Sequence, residues 1–207
     1  MNDPTTAPAP PARQHPLIAR LVQLKDRDDR GALAALRRGL GKPPGTVPEM
    51  FPYVEPFIPV NGYARHVDAA YLVASLFGLH PVHGAPSEDA RSRQQRGFGA
   101  SLARIRLREG TTDEDDGVAR RFGALLNCDH EGLPTHLRHL MKLLDSRSRD
   151  APIDYTQLYD DITDWEAPDR FVQRNWAAGF WRRAAPVIEN APPTSNDDTT
   201  TATDPED

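Results

Sequence analysis

The sequence predicts an all-α fold, a helical bundle in two small modules with disordered tails at both ends. Apolar residues recur three and four positions apart in one segment after another, which is the period of an amphipathic helix. No stretch shows the sustained alternation of apolar and polar residues, rich in β-branched side chains, that is typical of a half-buried strand. Prolines and glycines separate the periodic segments, and both residue types end helices.

The first two predicted helices precede a basic, glycine-rich segment. The first begins near Pro16, a residue suited to the first turn of a helix. The second is capped by Asp28 or Asp29, since a short acidic side chain can accept from the free backbone N–H groups. Gly39 and Gly41 are both expected to allow the left-handed backbone that closes a helix.

A proline-rich segment and the most apolar helix complete the predicted N-terminal module. Residues 41–60 contain six prolines between apolar side chains, so we expect an ordered loop packed across the helices. Residues 63–80 are apolar on most of their circumference, which places this helix at the centre of the bundle. Residues 82–99 are polar and are expected to form a mobile loop that joins the two modules.

The predicted C-terminal module contains five further helices. A short helix covers residues 101–109. The next helix opens with the acidic turn at residues 113–116, because acidic side chains interact favourably with the partial positive charge of a helix N-terminus. A third follows from Leu133, a fourth is capped by Asp154, and Pro168 starts the last.

Composition predicts the domain limits, and it shows that net charge is no guide to nucleic-acid binding here. We expect a disordered tail at 1–15, modules at 16–96 and 97–184, and an acidic disordered tail at 185–207. The whole chain has a net charge of -5, but residues 17–186 carry 24 basic and 23 acidic side chains. Net charge therefore does not predict nucleic-acid binding, which would need a local basic stripe.

The single cysteine, Cys128, excludes an internal disulfide and a thiolate zinc cage, and it fits a reducing compartment. The N-terminus lacks the charged and apolar regions of a signal peptide, and no apolar run has the length of a membrane span. These features predict a soluble, cytoplasmic protein.

Little in the sequence favours an enzyme. Motifs for a nucleophile elbow, a phosphate-binding loop or a zinc protease are missing. His136 with His139, and His80 with His83, are candidate metal ligands, and Cys128 lies two residues from a histidine. Surface or capping histidines explain these residues better, so we expect no metal and no cofactor, with a small helical enzyme as the remote alternative.

Aromatic and basic residues recur on successive predicted helices. The aromatic residues near the C-terminus have the spacing of core anchors, with a base-stacking platform as the alternative. They are Trp165, Phe171, Trp176, Phe180 and Trp181. The basic residues could line one groove and contact phosphates, or they could be scattered solvated charges. They are Arg37, Arg38, Arg65, Arg104, Arg106, Arg108, Arg120, Arg121, Arg138 and Lys142.

Several blocks of the sequence, in order across residues 17–183, resemble the CasB family, the small subunit of the type I-E CRISPR Cascade complex. Leu36 to Gly45, followed by Pro48 and Val54 to Pro56, is similar to the family's N-terminal signature. Residues 71–81, 120–126, 133–138, 153–165 and 172–181 resemble its later helices. Tyr155 stands where the family pattern has a tryptophan, a change expected to affect packing alone.

The resemblance implies an all-helical, non-catalytic protein in antiviral defence, present as two copies in Cascade. Its implied partners are the crRNA-bearing backbone subunits, the large subunit, a second copy of itself, the crRNA and the target DNA. It would steady the R-loop and the displaced non-target strand through contacts to the sugar–phosphate backbone, because the guide supplies sequence specificity. The resemblance assigns nucleic-acid binding to Arg37, Arg38, Arg65, Arg104, Arg121, Arg138 and Lys142. The alternative is a purely structural adaptor that bridges subunits without touching nucleic acid.

Overall fold

The computed structural model describes residues 15–59, 62–84, 97–109 and 117–184. These ranges contain nine α-helices and two short 3₁₀ turns, at Pro48–Met50 and Glu55–Phe57, and no β-strand. The helices are α1 (Pro16–Asp26), α2 (Arg30–Arg37), α3 (Phe51–Val54), α4 (Ala64–Leu79), α5 (Phe98–Glu109), α6 (Gly117–Asn127), α7 (Leu133–Arg147), α8 (Tyr155–Thr163) and α9 (Phe171–Ala184). The all-α prediction is confirmed.

The predicted tails, apart from His15, lie outside the described residues, as do most of the predicted loop at 82–99 and the acidic turn at 113–116. One buried apolar cluster includes side chains from α1 through α9. The division into modules at residues 96 and 97 stays a prediction.

Local capping chemistry accounts for three helix starts. His15 Nδ1 accepts from the Leu17 backbone N–H at 3.3 Å, just before Pro16 opens α1. The Asp29 carboxylate accepts from Ala32 N at 2.9 Å and caps α2, and Asp154 caps α8 in the same way. Each of these bonds satisfies a donor that the helix itself leaves unpaired.

Helix α4 lies in the middle of the N-terminal helices, as its sequence predicts. Its residues from Ala69 to Gly78 are largely buried, and it packs against α1, α2, α7 and α8. The proline-rich segment before it is ordered, because Met50 and Val54 insert into the core. The predicted ordered packing of residues 41–60 is confirmed for the described part, 41–59, although this part contains α3 and two 3₁₀ turns rather than loop alone.

Helix α5 begins at Phe98, three residues earlier than predicted. The Phe98 ring packs on Trp176 of α9, with ring centroids 5.2 Å apart, and this contact holds the extra turn. At Gly99 the backbones of α5 and α9 meet, since a Cβ there would overlap the Trp176 carbonyl oxygen. Tight packing between helices far apart in the sequence thus extends α5 beyond its own apolar period.

Two polar side chains lie in the core where the sequence suggested solvent. Asp161 has acidic neighbours at 160 and 164, a pattern typical of a solvated face, yet it is 7% exposed and accepts from Trp176 Nε1 at 2.5 Å. Burial is the main reason that its pKa rises from 3.8 to about 7. His80 is fully buried, with Nε2 2.7 Å from the Ala151 carbonyl and Nδ1 3.2 Å from Asp145. Both residues join segments that are distant in sequence.

Candidate nucleic-acid interface

Arg37 and Arg38 end α2 in different surroundings. Both are exposed, but Arg37 Nε donates to the Gly78 carbonyl of α4 at 3.0 Å, which fixes the base of its guanidinium group. Arg38 instead forms an ion pair with Glu49 at 3.0 Å, and both side chains are well exposed. Such a surface pair contributes little energy and leaves Arg38 able to exchange partners.

The turn after these arginines is closed by one glycine rather than two. Gly41 has a φ of 74° and lies in the left-handed region, whereas Gly39 does not. The expectation for Gly39 is wrong, because its N–H continues the helical turn by donating to the Leu36 carbonyl at 3.1 Å. Its lack of a side chain makes room for the Met50 thioether instead.

Arg138 of α7 packs against this same turn. Its guanidinium group lies so close to Gly41 that a Cβ at that position would overlap Nη1. Arg138 is half-buried, and its Nε finds no hydrogen-bond acceptor among the described residues. The structure therefore brings Arg138 to the turn that follows Arg37 and Arg38, with its Nε buried there.

A second basic surface lies between α6 and α7. It is a groove with a volume of about 370 Å³, and we call it the α6/α7 groove. Its lining residues are Arg121, His139, Lys142, Leu143, Ser146 and Arg147. None of these carries a carboxylate, so the described lining combines basic side chains with polar and apolar ones. Arg121 is positioned by a bond from Nη1 to the Gly117 carbonyl at 3.3 Å.

Sequence reasoning selected two of these groove residues and missed two others. Arg121 and Lys142 were expected to bind nucleic acid, and the structure places them together. The sequence predicts His139 only as a candidate metal ligand, and Arg147 is not among the predicted basic residues. Helical spacing is the signal in the sequence that could have placed His139 in the groove, since residues 139, 143 and 146 share one face of a helix.

Two other predicted residues lie elsewhere. Arg65 lines a depression of about 470 Å³ together with Asp68, Asp164 and Glu166, whose negative charges oppose phosphate binding. Its guanidinium group also sits 5.4 Å from the Tyr63 ring centroid. Arg104 is half-buried on α5 and is not among the residues lining the α6/α7 groove. Neither position supports the idea of one continuous groove that includes every predicted residue.

Arg106, two residues after Arg104 on α5, is buried in the core. Only 6% of it is exposed, and its guanidinium group lies 5.1 Å from the Phe180 ring centroid. A cation held against an aromatic face in this way stabilises packing.

Two further features bear on function. Among the described residues, no group of three or more His, Cys, Asp or Glu side chains is arranged to hold a metal ion. No helix in the described ranges is long and apolar enough to cross a membrane.

Comparison with known proteins identifies the family. Residues 32–181 match the family model for CRISPR-associated protein Cse2. The CRISPR-associated protein Cse2 of Thermus thermophilus is 32% identical over 156 residues, which are 74% of this chain and 80% of the relative.

Solved structures show the same similarity. A crystal structure of CasB from Thermus thermophilus superimposes with a TM-score of 0.63 at 30% identity, covering 80% of this chain and 96% of that one. CasB from M. ruber gives 0.64 at 26% identity, with 81% and 94% covered. A chain of a structure described as a CRISPR RNA-guided surveillance complex gives 0.63 at 28% identity, with 80% and 90% covered.

The fold and its basic surfaces define a small all-helical protein in which some of the predicted cations lie at a turn and others in one groove. The chain belongs to the Cse2 family, also called CasB, the small-subunit family of type I-E Cascade. The family resemblance predicted from the sequence is confirmed.

Proposed function

We propose that the chain is a non-catalytic, cytoplasmic small subunit of a type I-E surveillance complex in antiviral defence. It contacts the sugar–phosphate backbone of the crRNA–target R-loop and of the displaced non-target strand. Its protein partners are the crRNA-bearing backbone subunits, the large subunit and a second copy of itself. Family membership supports this role, as does the likeness to a chain of an RNA-guided surveillance complex.

The α6/α7 groove is the observation that carries the nucleic-acid part of the proposal. Arg121 and Lys142 lie in a concave surface whose described lining has no carboxylate, so the charges of that lining attract a phosphate. Contacts of this kind position a strand without reading its bases. R-loop formation exchanges one duplex for another of similar stability, so a few phosphate contacts can tip the balance.

The turn at Gly41 supplies a second contact point in this proposal. Arg37 is anchored at its Nε by the Gly78 carbonyl, which leaves its terminal nitrogens to reach outward. Arg138 packs its guanidinium group against the same turn, next to Gly41. A phosphate oxygen is the acceptor such a group favours, because charge-assisted hydrogen bonds are about twice as strong as neutral ones.

The test neutralises the groove while keeping its shape. In Arg121→Gln with Lys142→Gln, we expect binding of the full chain to single-stranded DNA to weaken. The salt slope of log K should fall by about 1.4, since each lost phosphate contact on a single strand contributes about 0.7.

The matched control removes the same charge elsewhere. Arg30→Gln with Arg174→Gln changes two exposed arginines that form surface ion pairs with Asp28 and Asp169. This control should keep the full salt slope. An equal loss of slope in both double variants would show that net charge, and not the groove, governs binding.

The structural adaptor remains a second candidate because some predicted arginines already face acidic side chains. Arg38 pairs with Glu49, and Arg65 lies among three carboxylates. In an adaptor, charge reversal by Arg138→Glu would disrupt assembly with the other subunits and leave the chain's DNA affinity unchanged. If that variant instead assembles normally and loses DNA affinity, the adaptor role is excluded.

A further inference from the structure

We propose that Trp181 is a stacking platform for an unpaired base of a single strand whose phosphates follow the α6/α7 groove. The proposal rests on the proposed function, since it needs a nucleic acid in that groove. It adds a contact to the bases that does not depend on their sequence, because every base has an aromatic face.

Trp181 differs from the other tryptophans of the chain in its exposure. Trp165 and Trp176 are 2% and 1% exposed and belong to the core. Trp181 is 44% exposed, although it lies on the same helix as Trp176. The spacing of these aromatics predicts core anchors, and that interpretation holds for the first two and fails for Trp181.

Two phenylalanine rings pack against the indole of Trp181 and hold it in place. Its ring meets Phe180 edge to face, with centroids 5.0 Å apart and planes at 80°. It also packs on Phe122 of α6, with centroids 5.5 Å apart. A ring fixed by two neighbours loses little conformational freedom when a partner binds, so a stacked base gains the full contact.

The basic residues of α6 and α7 favour a nucleic-acid occupant. The indole packs on Phe122 of α6, and Arg121, the residue before Phe122 in the chain, lines the α6/α7 groove. A single strand offers phosphates for Arg121 and unstacked bases for Trp181, whereas the bases of a duplex are already stacked. The combination therefore fits a single strand better than a duplex.

A second exposed aromatic lacks these neighbours and provides a control. Tyr63 is 70% exposed, and Arg65 lies over its ring. Arg65 also lines the depression that contains Asp68, Asp164 and Glu166, which repel a phosphate backbone. Tyr63 thus has the ring and the nearby cation without the basic groove.

Tryptophan fluorescence gives the first readout. Because Trp165 and Trp176 are buried, quenching by an added oligothymidylate reports on Trp181. We expect the oligonucleotide to quench the wild-type chain. In Trp181→Phe, the quenching should vanish while binding, followed by the anisotropy of a labelled strand, persists. Quenching of equal size in Trp181→Phe overturns the proposal.

Affinity for an abasic strand gives the second readout. The full chain should bind oligothymidylate about fivefold or more tightly than an abasic strand of equal length. Trp181→Leu should abolish this preference, and Tyr63→Leu should preserve it. Circular dichroism checks that each variant is folded.

The outcomes separate the two proposals. If neither strand binds the wild-type chain at low salt, both the groove function and the stacking role fail. If both strands bind equally and Trp181→Leu changes nothing, the groove function stands and the stacking role is overturned. If Trp181→Leu only impairs assembly with other subunits, the residue is a protein contact and the stacking role is again overturned.

Discussion

Asp161→Asn tests whether the raised pKa of a buried carboxyl group makes the stability of the protein depend on pH. The carboxylate is 7% exposed, and its pKa is raised from 3.8 to about 7, chiefly by burial. The Trp176 N–H opposes the rise, while the charges of Asp160, Asp154 and Asp164 add to it. The variant keeps a carbonyl oxygen to accept from Trp176 and removes the titration.

The sign of the effect follows from proton binding. Between about pH 4 and pH 7 the folded state holds a proton on Asp161 that the unfolded state has released. Stability therefore falls as pH rises through this window and levels off above it. The full difference corresponds to about 4 kcal/mol, and about 2–3 kcal/mol of it falls between pH 5 and pH 8.

The assay is urea denaturation of the full chain at pH 5 and pH 8. The wild type should lose about 2–3 kcal/mol more stability over this range than Asp161→Asn, which should be the more stable of the two at pH 8. The exposed neighbour provides the control, since Asp160→Asn should retain most of the pH dependence. An identical pH dependence in the wild type and in Asp161→Asn would refute the reasoning.

Two glycine substitutions test the packing that places the candidate interface. Gly99→Ala should lower stability by about 3 kcal/mol or more, because its Cβ would overlap the Trp176 carbonyl of a packed helix; a thermal midpoint within 2 °C or so of the wild type would contradict this contact. Gly41→Ala should cost about 1–2 kcal/mol for its left-handed backbone and should also displace Arg138, so DNA affinity should fall. Gly45→Ala shares the backbone cost but has open space around its Cβ, so it should leave DNA affinity unchanged, and equal losses in the two variants would exclude a role for Arg138.

Helix positions were predictable from the sequence because they depend on local signals. The apolar period of α4 and the caps at Asp29 and Asp154 lie within a few residues of the structure they specify. The early start of α5 was not predictable in this way. It depends on Phe98 meeting Trp176, a residue 78 positions later in the chain.

The candidate interface was predictable only in part, for the same reason. Arg121 and Lys142 are neighbours because α6 and α7 pack side by side, and Arg65 is among carboxylates because α4 lies near the end of α8. The sequence shows which residues are charged, but it does not show which of them become neighbours when the helices pack. Exposure of Trp181 is another property of the assembled core, because it depends on which helices cover that side of α9.

R-loop formation by the assembled surveillance complex tests the central claim most directly. The complex would be loaded with one guide and given matching duplex DNA at physiological salt, and the fraction of opened target would be measured. With the subunit carrying Arg121→Gln and Lys142→Gln, we expect a complex of normal composition that opens several-fold less target than one carrying Arg30→Gln and Arg174→Gln. Equal R-loop yields from these two complexes would contradict a role for the α6/α7 groove in holding nucleic acid.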